Sequence, residues 1–234
     1  MTNIVLLRHG LTAMTGPRLA GWTPGISLDE RGIAQAKRVA ERLAPLPLAA
    51  IVSSPLERCQ ETAAAVAEGR GLSITVDERI GECRYGDWTG QELKVLAKEP
   101  LWKVVQNNPS AVVFPGPEGE ALRDTQARAV TALREWDAKI AAEAGPDATW
   151  LACSHGDVIK AVVADALGMH LDLFQRINVD PCSVTVIRYA ELRSFALRVN
   201  DNGGSIEDLL PPKKKSRSRR KPSSDAVVGG GAGA

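Results

Sequence analysis

Short apolar segments that each end in a polar turn constrain the fold of this 234-residue chain most. Residues 4–7 run into Arg-His-Gly, residues 49–52 run into Ser-Ser-Pro, and residues 149–153 run into Ser-His-Gly. Continuous apolar runs of this length are typical of strands that are buried on both faces of a parallel sheet. The polar turns therefore mark the points where candidate strands end.

Helix-like segments separate the apolar runs. Strands that alternate with helices predict an α/β fold, here a three-layer sandwich with a mostly parallel sheet and helices on both faces. Two helix starts have the spacing of a capping box, Ser27 with Glu30 and Ser54 with Glu57. The predicted helices span residues 28–43, 54–68, 120–144 and 158–167. Shorter helices, interrupted by Pro100, are predicted within 90–107. Further strands are predicted at 72–76, 183–189 and 194–199, and the last two form a hairpin.

The charge distribution divides the chain into one domain, residues 1–204, and a tail, residues 205–234. The tail carries seven lysines and arginines against three acidic residues, a net charge of +4, and the rest of the chain carries −3. A basic segment followed by a Gly/Ala-rich one favours disorder. The basic run at 213–221 could instead bind nucleic acid or another anionic surface. It has no interleaved aromatic residues for base stacking, so a solvated tail is preferred.

Several classes of protein lack support in the sequence. The four cysteines form no CxxC pair, and Cys59 and Cys153 lie in apolar surroundings and are interpreted as small buried hydrophobic residues. This cysteine usage favours a reducing, cytoplasmic compartment. No metal-binding cluster or nucleotide-binding glycine loop is visible, so neither a metal nor a cofactor is predicted. No apolar run has the length of a membrane span, and the N-terminus does not resemble a secretory signal.

Two of the three histidines, His9 and His155, follow apolar strands and precede glycines. Sites in open α/β sheets form beyond the carboxyl ends of strands, so the two histidines are expected to share one site. Arg8 and Arg58 lie at comparable strand ends. An arginine is most often solvated, but its guanidinium also matches the oxygens of a phosphate, and a helix N-terminus would add backbone donors.

Five segments in order resemble signatures of the histidine phosphatase superfamily, which includes cofactor-dependent phosphoglycerate mutases and many phosphatases. Arg8-His9-Gly10 with Thr12 resembles its first motif, and Ser154-His155-Gly156 resembles its second histidine motif. Residues 53–62 resemble its SSP-x-x-R-x-x-x-T segment, residues 81–90 its glutamate segment, and residues 119–120 its Gly-Glu segment. The resemblance implies a phosphoglycerate mutase-like fold.

The resemblance also implies a role for each matching residue. His9 is the implied nucleophile that becomes phosphohistidine, and Arg8, Arg58 and His155 are the implied catalytic and substrate-binding groups around the phosphoryl oxygens. Glu82 is the implied proton donor and later the base. The alternative for Glu82 is an exposed loop carboxylate.

Two positions depart from the family pattern. Thr15 stands where many members have asparagine, and we expect its hydroxyl to bind substrate phosphate in place of the amide. Asp157 stands where phosphoglycerate mutases usually have asparagine. A carboxylate there would repel a phosphate unless it points away or caps a helix that begins at Val158, and of these two we prefer the cap.

The length of the segment 91–117 favours hydrolysis over group transfer, because mutases of the family carry a longer basic insertion there. Its apolar residues are expected to pack into the core, and a hydrophobic substrate patch is the alternative. The predicted function is a metal-independent phosphomonoester hydrolase that acts on a small phosphorylated substrate. The alternatives are a phosphoglycerate mutase-like phosphomutase and anion or nucleic-acid binding by the tail, and the resemblance allows a homodimer.

Overall fold

The computed structural model describes residues 2–204 and the backbone of two further short strands. These strands, Ala226–Val227 and Gly231–Ala232, pair with each other in antiparallel orientation. Apart from these two strands, the tail lies outside the described residues, including the basic run at 213–221, so its predicted disorder stays a prediction.

Six strands form one sheet in the order β3-β2-β4-β1-β5-β6. Strands β1 to β4 are parallel, β5 runs antiparallel to β1, and β6 closes the predicted hairpin with β5. The strands are β1 (Asn3–Arg8), β2 (Leu48–Ser53), β3 (Ile74–Val76), β4 (Thr149–Ser154), β5 (Val184–Tyr189) and β6 (Ser194–Asp201). The mostly parallel sheet is therefore confirmed.

Helices cover both faces of the sheet. Successive side chains of β1 alternate between the faces, so Val5 and Leu7 join one core with α1 and α2, while Ile4 and Leu6 join a second core with α5 and α6. The helices are α1 (Glu30–Leu43), α2 (Glu57–Ala67), α3 (Leu93–Leu96), α4 (Pro100–Asn107), α5 (Leu122–Ala144) and α6 (Gly156–Ala166). The predicted three-layer sandwich is confirmed.

Both predicted capping boxes are wrong. Helix α1 begins at Glu30, and its cap is Asp29, whose side chain accepts a hydrogen bond from the Gly32 amide at 2.8 Å. Helix α2 begins at Glu57, three residues after Ser54, and has no side-chain cap. In each case the helix begins further along the chain than a serine cap would place it.

Apolar residues of the segment 91–117 pack into the core, as expected. Leu96, Trp102 and Val105 are buried there. The predicted short helices with a break at Pro100 are confirmed: α3 ends at Leu96, and Pro100 begins α4, where its missing N–H costs no hydrogen bond. No helix within the described part of the chain is both long and apolar enough to cross a membrane.

A close backbone contact fixes the loop that follows β1 against the first turn of α1. A Cβ atom on Gly32 would lie 2.0 Å from the carbonyl oxygen of Leu11, and one on Gly10 would lie 2.8 Å from the carbonyl oxygen of Gly32. The Leu11 carbonyl also accepts from the Asp29 amide at 3.0 Å. The two glycines therefore permit an approach that no larger residue allows.

We predict that Gly32→Ala destabilises the protein by about 1–3 kcal/mol, as overpacking does, although alanine is the better helix former. The methyl group would collide with backbone, which cannot move aside as a side chain can. The free energy of unfolding in urea measures the effect. Lys37→Ala, at an exposed position of the same helix, is the control and should change stability by less than about 0.5 kcal/mol. A stabilised Gly32→Ala variant would contradict the close contact.

Candidate active site

The carboxyl ends of three neighbouring strands bring the predicted residues together. Strand β4 lies between β1 and β2, with Arg8 opposite Ser154 and Ser53 opposite Cys153. The ladders continue one step beyond the strands, because the His9 amide donates to the Ser154 carbonyl at 3.0 Å. The two histidines therefore emerge side by side, with ring centroids 5.2 Å apart.

His9 has one ring nitrogen committed and one that carries a lone pair. Its Nδ1 lies 2.7 Å from the carbonyl oxygen of Gly10, which can only accept, so Nδ1 carries the hydrogen. Its Nε2 accepts from Arg58 Nε at 3.3 Å. Burial, reinforced by the charges of Arg58 and Arg8, holds the pKa of His9 well below its ordinary value. The imidazole is therefore neutral and nucleophilic at Nε2.

Arg58 links the two histidines. Its guanidinium is 1% exposed, so the solvated-arginine alternative is wrong. Nη2 donates to the Gly21 carbonyl at 2.8 Å and lies 3.3 Å from His155 Nδ1. Within the described residues, the buried Nη1 has no hydrogen-bond partner. Arg58 thus directs a donor group with positive charge into the site.

His155 is fully buried and held from both sides. Its Nε2 lies 2.7 Å from the hydroxyl of Ser54, and its Nδ1 accepts from Arg58. Burial, with the charge of Arg58, holds the pKa of His155 well below its ordinary value. From its sequence pattern, Ser54 is predicted only to cap a helix. Its position at the end of β2, beside the end of β4, is the signal that could have revealed its contact with His155.

Arg8 contributes charge close to the same point. Its side chain is buried, and Nη1 donates to the Val179 carbonyl at 2.6 Å. Burial lowers the pKa of Arg8, while the nearby carboxyl groups of Glu82 and Asp157 oppose that change. The structure thus places Arg8 within electrostatic reach of His9 and Glu82.

Glu82 is a buried carboxyl group, and the exposed-loop alternative is wrong. It is 5% exposed, Oε1 accepts from the Cys83 amide at 3.0 Å, and Oε2 lies 3.9 Å from His155 Nδ1. Burial, aided by the charge of Asp157, raises its pKa to about 7, although Arg58 and Arg8 oppose the change. A carboxyl group with this pKa can donate and accept a proton near neutral pH.

Asp157 does not cap a helix, so that prediction is wrong. Helix α6 already begins at Gly156, with His155 at its N-cap, which places Asp157 inside the first turn. Its carboxylate accepts from the hydroxyl of Tyr85 at 2.8 Å and lies 3.8 Å from the buried ammonium of Lys160. These contacts turn the carboxylate toward the core, and its charge acts on Glu82 from there.

Thr15 makes its contacts within its own turn. Its hydroxyl accepts from the Thr12 amide at 3.1 Å and lies 3.0 Å from the Thr12 hydroxyl. None of these hydrogen bonds reaches His9, Arg58 or His155. The expected role of Thr15 in substrate binding stays a prediction.

Cys59 and Cys153 are buried free thiols, as expected, and so are Cys83 and Cys182. Burial raises the pKa of Cys153 well above its ordinary value and that of Cys182 to about 12, so these thiols are poor nucleophiles. His170 is exposed at the start of a short 3₁₀ helix, Leu171–Arg176, away from the other two histidines. Among the described residues, no group of three or more histidine, cysteine and acidic side chains could hold a metal ion.

Comparison with known proteins gives consistent results. The family model for the histidine phosphatase superfamily (branch 1) matches residues 4–202. The chain is similar to the probable phosphoglycerate mutase GpmB of Cronobacter sakazakii, with 28% identity over 194 residues that cover 82% of this chain and 86% of the relative.

Solved structures support the same relationship. Bacillus stearothermophilus YhfR has 30% sequence identity and a TM-score of 0.76, over 86% of this chain and 98% of that chain. A mycobacterial glucosyl-3-phosphoglycerate phosphatase has 27% identity and a TM-score of 0.73, over 85% and 98%. These structures confirm the predicted phosphoglycerate mutase-like fold.

We predict that Asp157→Asn lowers the pKa of Glu82 from about 7, because the substitution removes a negative charge that disfavours ionisation. The carboxyl ¹³C shift of labelled Glu82, followed against pH, measures the midpoint, and Glu82→Gln assigns the signal. The matched control is Asp124→Asn, whose side chain is 67% exposed and which should leave the midpoint unchanged. An unshifted midpoint in Asp157→Asn would show that the two carboxyl groups do not interact.

Proposed function

Because the chain belongs to the histidine phosphatase superfamily, branch 1, we propose that it hydrolyses small phosphomonoesters through a phosphohistidine on His9. The observation that carries the proposal is the pairing of His9 Nε2, neutral and carrying a lone pair, with the buried guanidinium of Arg58 at 3.3 Å. A nucleophile and a cation so placed suit an electrophilic phosphorus with negatively charged oxygens.

The first step transfers the phosphoryl group to the enzyme. The Nε2 lone pair of His9 attacks phosphorus in line, the P–N bond forms, and the bond to the leaving oxygen breaks. Glu82, protonated in part because burial raises its pKa to about 7, gives its proton to that oxygen. Arg58 and Arg8 stabilise the charge on the equatorial oxygens.

His155 completes the oxygen-binding set. Its Nδ1 faces Arg58 and lies 3.9 Å from Glu82, on the side of the ring away from Ser54. A phosphoryl oxygen bound there would favour the protonated ring, which donates from both nitrogens. The Ser54 hydroxyl fixes the orientation of the ring throughout.

The second step returns the enzyme to its starting state. Glu82, now a carboxylate, accepts a proton from water as the water oxygen attacks phosphorus. The P–N bond breaks, inorganic phosphate forms, and His9 regains its neutral form. The same carboxyl group therefore acts as acid and then as base, and its pKa near 7 suits both tasks.

Hydrolysis is preferred to group transfer because of the segment that follows the glutamate motif. This segment holds the short helices α3 and α4, whose residues Leu96 and Trp102 pack into the core, and it lacks the long basic insertion of the mutases. The similarity to a protein named as a phosphatase supports this preference. Phosphoryl exchange as in a phosphoglycerate mutase is the second candidate, favoured by the similarity to GpmB.

Three further expectations belong to this proposal. We propose that turnover needs no metal ion, because Arg8 and Arg58 supply positive charge at the oxygens. A cytoplasmic location is supported by the four free thiols. The homodimer stays a prediction, and the anion-binding alternative concerns tail residues outside the described part of the chain.

We predict that a panel of phosphomonoesters is hydrolysed with EDTA present, and that His9→Ala lowers kcat by on the order of 10⁴-fold or more, since the nucleophile is lost. Release of inorganic phosphate measures the rate. His170→Ala is the matched control, because His170 is 67% exposed and pairs with Asp172, and it should retain full activity. Undiminished hydrolysis by His9→Ala would refute the mechanism, and rapid exchange between two phosphorylated ligands with slow hydrolysis would favour the mutase.

We predict that kcat/KM for an alkyl phosphate falls as pH rises through about 7, where Glu82 loses the proton that it donates. The acid limb set by His9 lies well below its ordinary pKa, since burial and Arg58 keep the ring neutral. In Glu82→Gln the fall of kcat/KM near pH 7 should be absent, and the rate at pH 6 should be lower by about 10²–10⁴-fold. Persistence of that fall in Glu82→Gln would assign it to another group.

A further inference from the structure

Arg128 of α5 holds the backbone on which Glu82 stands. Its Nη1 donates to the carbonyl oxygens of Arg79 at 2.7 Å and Gly81 at 2.9 Å. Its Nη2 donates to the carbonyl oxygen of Glu82 itself at 2.9 Å. One guanidinium thus binds three carbonyl groups within four residues.

Glu120 holds the same segment from the other side. Its carboxylate accepts from Arg128 Nε at 3.1 Å and from Nη2 at 2.6 Å. The same carboxylate accepts from the Arg84 amide at 2.8 Å, and the Glu120 amide donates back to the Arg84 carbonyl at 2.9 Å. The Glu120–Arg128 pair therefore contacts the backbone on both sides of Glu82.

The segment needs such support because it is not part of the sheet. The 3₁₀ helix Glu78–Ile80 ends just before Gly81, and the chain then runs through a buried loop. Carbonyl groups there have no ladder partners, and leaving buried carbonyls unsatisfied would be costly. The planar fork of arginine can satisfy several acceptors at fixed angles, which a lysine ammonium cannot.

The ion pair is itself partly shielded from water, with side chains that are 22% and 16% exposed. Burial opposes ionisation of Glu120, but its hydrogen bonds with Arg128 hold its pKa below the ordinary value. The pair is therefore charged at the pH of catalysis. Trp22 adds a third constraint, since its Nε1 donates to the Glu82 carbonyl at 2.6 Å.

We propose that the Glu120–Arg128 ion pair is a positioning device that fixes the general acid Glu82 against the leaving oxygen, an inference that rests on the proposed function. The hydrogen bonds of Arg128 reach the backbone around Glu82 and neither histidine, and its charge adds only the smallest of the contributions that lower the pKa of His155. The proposed action of Arg128 is therefore through Glu82. A displacement of about 1 Å can cost about 10²-fold in rate, so the pair controls proton transfer without taking part in it.

The experiment compares two leaving groups. An alkyl phosphate such as glycerol 2-phosphate needs protonation of its leaving oxygen, whereas p-nitrophenyl phosphate needs little. Arg128→Ala should lower kcat/KM, which reports the first step alone, by about 10–100-fold for the alkyl ester and by less than about 3-fold for the nitrophenyl ester. Arg134→Ala is the matched control, because Arg134 lies on the same helix, is 56% exposed, and pairs with Asp165.

A double mutant separates positioning from a structural role. If Arg128 acts through Glu82, Arg128→Ala should cause no further loss of alkyl ester turnover in a Glu82→Gln background. Multiplied losses in kcat/KM in the double mutant, or equal losses in kcat/KM for both esters, would overturn the proposal. If Arg128→Ala does not fold, Arg128→Lys serves in both backgrounds, with an expected loss of about 3–10-fold for the alkyl ester alone.

The same data distinguish failure of the inference from failure of the proposed function. A Glu82→Gln variant with full activity on both esters would refute Glu82 as general acid, and the proposal about Arg128 would fall with it. A Glu82→Gln variant that loses alkyl ester turnover, beside an Arg128→Ala variant that retains it, would refute the positioning role alone.

Discussion

The parallel pairing of β4 between β1 and β2 is the constraint on which the rest of the structure depends. Because parallel strands end at the same edge, residues that are about 50 and 100 positions apart in sequence become neighbours there. His9, Ser54 and His155 each come immediately after one of these strands. The apolar side chains on both faces of β1 and β4 fix the register, and the register fixes the site.

Burial gives the assembled groups their chemistry. Removal from water keeps both imidazoles neutral and raises the pKa of Glu82 to about 7. The histidines therefore keep their lone pairs, and Glu82 keeps a proton near neutral pH. The arginine side chains then supply the positive charge for an anion. Buried charges of this kind persist because their hydrogen bonds are largely satisfied by carbonyl groups such as that of Gly21.

Much of this arrangement could be predicted from sequence, because it follows from local patterns. The apolar runs identified the strands, the strand ends identified the two histidines, and five motifs in order identified the family. His9 and the arginines near it occupy motif positions, so the resemblance is enough to name them as candidate site residues.

The rest depends on contacts between distant segments, which a local pattern does not encode. Ser54 looked like a cap, but its hydroxyl binds His155 across the sheet. Asp157 also has the pattern of a cap, but its carboxylate accepts a hydrogen bond in the core from the hydroxyl of Tyr85, which is 72 positions away. Arg128 lies in an ordinary amphipathic helix, and nothing in its surroundings in sequence shows that it reaches Glu82.

The central claim is that the phosphoryl group passes through His9 before it reaches the acceptor. The stereochemical course at phosphorus tests this most directly, with a phosphomonoester made chiral by oxygen isotopes and an alcohol as acceptor. Two successive in-line displacements each invert the configuration, so the account predicts overall retention. Overall inversion would show a single direct displacement and would contradict the phosphohistidine intermediate.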